Sequence, residues 1–311
     1  MPVLNVKAHI DINATREQVQ HVLTDFQSWP AWSPWLYIEP EAKLTYRGGA
    51  GEIGHGYDWL GDKTGSGGMS LTKISAQRVE CDLQFLKPFK SQADIAFDLE
   101  ELAPDITRVT WLMDSSLPFF MFWMKESMSG MIKADYARGL ALLKDYIEKE
   151  KIPSSASDAV KVSVPEVSYV GIQATCSMSD IASVMGTSFD TLSTASTNGQ
   201  FSVSGRPFCL YNDIDFKRQR FTFTAAMPCD EGANVDAPLV AAHRPACTAL
   251  KVMHTGAFRH LPNAWAKLLA DAKAQKHKPV KSQHPFELYL NDATDIDEAE
   301  LLTELYLPLK S

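Results

Sequence analysis

Two strings near the end of the chain, Pro285-Phe286-Glu287-Leu288-Tyr289 and Thr303-Glu304-Leu305-Tyr306-Leu307, each set a carboxylate two residues before a tyrosine. Side chains alternate between the faces of an extended strand, so Glu287 shares a side with Tyr289, and Glu304 with Tyr306, while Phe286, Leu288, Leu305 and Leu307 take the other sides. A carboxylate beside aromatic rings can hold a cation through charge pairing and through the negative face of the ring. Solvated outer faces of antiparallel strands would give the same alternation. An earlier string, Pro207-Phe208-Cys209-Leu210-Tyr211, repeats the pattern with Cys209 at the position of Glu287 and supplies Tyr211 as a third ring. On this reading Glu287, Tyr289, Tyr211, Glu304 and Tyr306 bind ligand on the open side of a sheet. The apolar faces then pack beneath helices such as the one carrying Trp265.

Other chemistries find little support. Gly49-Ala50-Gly51-Glu52-Ile53-Gly54 has dinucleotide-loop spacing but runs into the strand-like Tyr57-Asp58-Trp59 where a helix is required. No G-x-S-x-G, H-E-x-x-H or phosphate-binding loop occurs, and His254 and His260, six apart, do not share a helical face. Five scattered cysteines form no C-x-x-C pair and read as reduced thiols. The expectation is therefore no metal and no cofactor, with no catalytic residue assigned unless Glu287 serves a hydrolase. Thirty basic against 38 acidic residues give a net charge of -8, and residues 1–150 alone carry 15 minus 21, or -6. Neither half offers the basic face that nucleic acid requires. No apolar run approaches a bilayer span and no leader is evident, so the reading is a cytoplasmic protein without stable membrane insertion.

These residues need a scaffold, and the second half repeats itself. Gly171 is followed 36 residues later by Pro207-Phe208, and Ala249 36 residues later by Pro285-Phe286. Each copy ends in a strand running into proline, Phe221 to Pro228 and Leu302 to Pro308. Two strand-helix-strand-strand units, packed as a pseudo-symmetric pair, account for this. The Pro/Ser-rich stretch 151–160 reads as a linker between domains at 1–150 and 161–311.

The first half predicts a strand over 3–12, a helix capped by Thr15, a Trp/Pro-rich turn at 28–35, and six strands between 42 and 115 punctuated by Gly, Asp and Pro. A helix over 120–150 follows, with Met124, Met128 and Met131 at helical spacing. The Met/aromatic segment 119–124 with these methionines reads either as ordinary core or as a deformable roof over a lipophilic cavity. Trp59 and Trp111 are candidates for its opposing wall or for plain core.

The order strand, short helices, meander, long helix resembles the START-like superfamily, also called SRPBCC or polyketide cyclase-like. The matching pieces are Asp25 to Trp29, Trp32-Ser33-Pro34-Trp35, and Tyr57 to Gly61 followed by Gly65 to Gly68. That resemblance implies a helix-grip fold whose long helix roofs a hydrophobic cavity. The second half resembles the GyrI-like family through His254-Thr255-Gly256-Ala257-Phe258, the Pro285 string and Thr303 to Leu309. This second resemblance implies an effector-binding domain with a glutamate at the position of Glu287 in an aromatic cleft. The expected fold class is α+β, a helix-grip sheet with a long helix and then paired βαββ units. The expected role is capture or sensing of amphipathic or lipophilic compounds, cationic or toxic ones among them. A GyrI-like hydrolase of cyclopropane-bearing toxins and a module that docks a protein partner are the competing readings.

Overall fold

Burial of alternating side chains organises both halves of the chain. In the computed structural model, residues 3–116, 119–230 and 232–310 are described. Two compact units emerge, Met1–Pro153 and Ser154–Ser311, and both are of α+β type with antiparallel sheets.

In the first unit β1 (Val3–Ile12) leads to α1 (Arg16–Thr24), whose start is fixed by a reciprocal cap: the Thr15 hydroxyl accepts from the Gln18 amide, and the Gln18 side chain accepts from the Thr15 amide. The Trp/Pro segment expected as a turn is helical, forming α2 (Trp29–Trp32) and α3 (Pro34–Ile38). Pro30 and Pro34 sit in the first turns, where a missing N–H costs nothing. The meander follows as β2 (Lys43–Arg47), β3 (Gly56–Leu60), β4 (Ser66–Ser75), β5 (Arg78–Lys87), β6 (Ser91–Ala103) and β7 (Ile106–Ser116). Its sheet runs β1-β7-β6-β5-β4-β3-β2. The expected helix over 120–150 is a 3₁₀ turn, Phe119–Met124, and then α4 (Lys125–Lys149). Gly139 lets α4 approach closely, since a Cβ there would stand 2.8 Å from Pro34 and 3.0 Å from Trp111. Arg138 fastens the same contact by donating to the Pro34 carbonyl at 2.6 Å.

The second unit begins with β8 (Ser154–Ala156), which lies inside the stretch read as linker and pairs with a strand of the sheet, and β9 (Val160–Val164). The two repeats follow as β10 (Val167–Ser177), α5 (Ile181–Thr197), β11 (Phe208–Asp215), β12 (Arg220–Pro228), and as β14 (Cys247–Gly256), α6 (Leu261–Ala274), β15 (Phe286–Tyr289), β16 (Leu302–Pro308), with β13 (Val240–Arg244) between them. The sheet order is β13-β10-β12-β11-β15-β16-β14-β8, and β9 also pairs β14. The repeats exchange their leading strands. β9, which precedes the first repeat, pairs with β14 of the second, and β13, which precedes the second, pairs with β10 of the first. Among the described residues no helix is long and apolar enough to cross a membrane.

Candidate functional site

The central strands of the second sheet are β11 and β15, whose residues Cys209 and Glu287 stand directly opposite each other. Helix α5 packs on β10 and β12, and α6 on β14 and β16, so the helices flank this centre. Side chains reach across the space between them. The Trp265 indole of α6 donates to Glu287 Oε1 at 2.6 Å, and the Tyr289 hydroxyl donates to Oε2 at 2.9 Å while touching Met185 of α5 at 3.3 Å. Tyr211 also hydrogen-bonds the carboxylate through its side chain. Rings enclose these contacts edge to face: Tyr211 on Trp265 at 5.7 Å, and Phe189 and Phe258 on Tyr289 at 5.7 and 5.6 Å.

Glu287 is only 1% exposed. Burial raises its pKa from the ordinary carboxyl value, and the donors from Trp265, Tyr289 and Tyr211 offset part of that effect. Burial next to Glu287 also raises the pKa values of Cys209, Tyr211 and Tyr289 well above their usual ranges, keeping thiol and phenols protonated. The arrangement is one desolvated acid, three donors and a surround of half-buried rings. A cation placed against it would find charge and ring faces together, once the Trp265 indole moves aside.

Two expectations about faces are corrected by the register. The helices cover the Glu287/Tyr289 side rather than the Phe286/Leu288 side. Phe286 and Leu288 pack on the far face with Tyr169, Phe208 and Tyr306. Glu304 and Tyr306 do not share a face with Glu287: Leu288 pairs with Glu304 and Phe286 with Tyr306, whereas Glu287 pairs with Leu305. On that far face Glu304 accepts from Lys251 at 2.7 Å and from the Tyr306 hydroxyl, and Tyr306 stacks on Phe286 at 4.5 Å. The structure thus brings together Glu287, Tyr289 and Tyr211, separates Glu304 and Tyr306 from them, and adds Trp265, Met185 and Phe189. Trp265 was visible in the sequence only as part of a helix. Its role depends on which side of the sheet that helix takes.

Among the candidates of the first unit, Trp111 is 1% exposed and stacks on Tyr136 of α4 at 4.3 Å, with Trp29, Trp32 and Trp35 around it. The centre of the space between sheet and helix is therefore filled by rings, and Trp111 belongs to the core. Trp59 and Met128 pack half-buried against that core, toward the end where β7 leaves the sheet, and Met124 is half-buried as well. Met131 is 51% exposed, which corrects its place in a roof: it points away from the sheet. The side chains of residues 119–121 in the Met/aromatic segment lie outside the described residues. Among the described residues no group of three or more His, Cys, Asp or Glu is placed to hold a metal ion.

Residues 159–310 match the GyrI-like small molecule binding domain family, and residues 3–148 match the polyketide cyclase / dehydrase and lipid transport family. No curated protein sequence matches the chain. Solved structures similar to parts of it include the C-terminal domain of EcmrR, 19% identical over 50% of this chain and 98% of that one with a TM-score of 0.43. SAV2435 bound to tetraphenylphosphonium is 16% identical over 50% of this chain and 95% of that one, with a TM-score of 0.40. The Aha1 dimer from Colwellia psychrerythraea is 20% identical over 47% of this chain and 96% of that one, with a TM-score of 0.35.

Proposed function

We propose, for a chain that joins a polyketide cyclase-like (SRPBCC, START-like) domain to a GyrI-like small-molecule-binding domain, that the second domain captures an amphipathic cation in the groove between α5 and α6. The observation that carries this is the buried Glu287 carboxylate, placed on the sheet centre and ringed by Tyr211, Trp265 and Tyr289. An anion held away from water without a full positive partner is costly to the free protein, and a cation that enters the groove relieves the cost. The rings add cation–π attraction and a surface that accepts apolar substituents. Because burial raises the Glu287 pKa, binding of a cation favours the ionised form and releases a proton wherever that group is partly protonated in the free protein.

Titration of the full chain with tetraphenylphosphonium by calorimetry tests the reading. Glu287→Gln is nearly isosteric and removes the charge, and loss of one partner of a desolvated charge pair costs about 2–5 kcal/mol, so affinity is expected to fall well over tenfold. Binding by Glu287→Gln within twofold of wild type would overturn it.

A second reading rests on the same raised carboxyl. An acid whose pKa is moved toward neutrality is suited to proton transfer, and Glu287 would then orient or activate a water for hydrolysis of a strained ring in the groove. Turnover of a cyclopropane-bearing compound by the wild type but not by Glu287→Gln supports it. Binding without turnover leaves capture alone.

A further inference from the structure

The sheet face turned away from α5 and α6 has a cleft of its own, about 410 Å³ in volume, within the range of small-molecule sites. Leu210 and Phe286 lie on its floor; they are cross-strand partners and the chain neighbours of Cys209 and Glu287, so they face away from the Glu287 groove. Gly171 keeps the floor open. A Cβ at that position would stand 2.8 Å from Thr224 Cγ2 and 3.1 Å from the Tyr169 ring. Polar groups enter from Gln173, Asn212 and Thr224, and the Thr224 hydroxyl donates to Asn212 Oδ1 at 2.8 Å, fixing the orientation of that amide.

Among the described residues, the only Lys or Arg lining the cleft is Arg244. Its guanidinium lies 4.6 Å from the centre of the Phe286 ring, and it donates to the carbonyls of Pro165 at 2.7 Å and Pro245 at 3.2 Å. Those partners are neutral. They hold the guanidinium plane without cancelling its charge, and of its five N–H donors several remain for another acceptor. None of the lining residues is Asp or Glu, although the chain as a whole carries 38 acidic against 30 basic side chains. His243 and His284 also line the cleft, and His243 reaches Glu166 at 3.5 Å. An acid-free cleft built around a positioned cation reverses the charge balance of the rest of the chain.

We propose that this cleft is a second binding site, on the opposite face of the sheet from Glu287, for a small aromatic anion whose carboxylate or sulfonate pairs with Arg244 while its ring lies on Leu210 and Phe286. The planar fork of arginine suits a two-oxygen acid, and the Gln173 and Asn212 amides supply hydrogen bonds beside it.

The probe is 1-anilinonaphthalene-8-sulfonate, followed by fluorescence with the full chain, with neutral N-phenyl-1-naphthylamine as the control that lacks the acid. Saturable one-to-one binding of the sulfonate is expected. Arg244→Gln should weaken it at least tenfold, Arg244→Lys should fall between that variant and wild type, and the neutral amine should be indifferent to both. Excess tetraphenylphosphonium should leave the sulfonate bound. In amide NMR the probe should shift the side-chain signals of Gln173 and Asn212, a measurement on wild-type protein that stands even if Arg244→Gln fails to fold. Binding by folded Arg244→Gln within twofold of wild type, unmoved Gln173 and Asn212 amides, displacement of the probe by the cation, or no saturable binding below millimolar concentration would each overturn the proposal.

Discussion

Both units gather aromatic rings beneath helices, to opposite physical ends. In the first, Trp29, Trp32, Trp111 and Tyr136 are 0–1% exposed and pack ring on ring. In the second, Tyr211, Trp265 and Phe189 remain half-buried and their cluster is built around a carboxylate. A ring cluster packed on itself turns apolar area into stability. A ring cluster that hides an acid gives up stability in the free protein, and a complementary charge can recover it. The aromatic content of a sequence therefore says little about function until the polar atoms among the rings are located.

Removing a ring from the first-unit cluster should have the largest effect. Trp111→Ala is expected to cost about 3–5 kcal/mol in denaturant unfolding of the full chain while leaving tetraphenylphosphonium affinity unchanged. A cost below about 1 kcal/mol would mean that the first cluster is loosely packed and the contrast false.

The second unit should also respond to pH through His254, which is buried on β14 and whose pKa burial lowers from 6.5 to about 4. The fold favours the neutral ring, and the unfolded chain takes up a proton below about pH 6.5. Stability is therefore fully present above 6.5 and lost as pH falls toward 4, by about 3 kcal/mol in total. His254→Gln should flatten that dependence in unfolding measurements between pH 4 and 6.5, and an unchanged slope would assign it to other groups.

Glu287 has the opposite sign. Its pKa is raised in the fold, so its contribution is lost as pH rises through the folded value. Glu287→Gln should stabilise the ligand-free protein at pH 7, and that gain should fade as pH falls and the wild-type carboxyl takes up its proton. Destabilisation at pH 7 would show that the three donors outweigh burial. The smallest effect on cation binding belongs to Glu304→Gln. Its carboxylate pairs with Lys251 on the far face, so cation affinity should stay within twofold, and any cost should fall on stability because the pair is mostly buried.

The register explains which parts of this could be read from the sequence. All six meander strands lie close to their expected spans because Gly, Asp and Pro mark where extension stops, and the two βαββ units follow from the spacing of Pro207 and Pro285. Alternation also places Glu287 with Tyr289, since both lie on one strand. It carries no information about the phase between strands, which hydrogen bonds set, so nothing in the sequence offsets Glu304 from Glu287 by one residue. Nor does it assign partners, and the exchange of β9 and β13 between repeats leaves no local trace. The helical geometry of 29–38 was hidden by Pro30 and Pro34, residues that mark turns and first helical turns alike.

The facing pair Cys209 and Glu287 has a consequence for how such a site can arise. In a symmetric dimer of two identical units, whatever residue stands beside the two-fold axis appears twice. An acid at this position would meet its own copy across the strands, and two neighbouring carboxylates out of water do not both ionise. Covalent linkage of the halves removes that obligation, because each copy of the position can carry a different side chain. The groove then holds a single ionisable acid beside a protonated thiol. A lone charge near a symmetry axis is something that one continuous chain can build and a homodimer of half its length cannot.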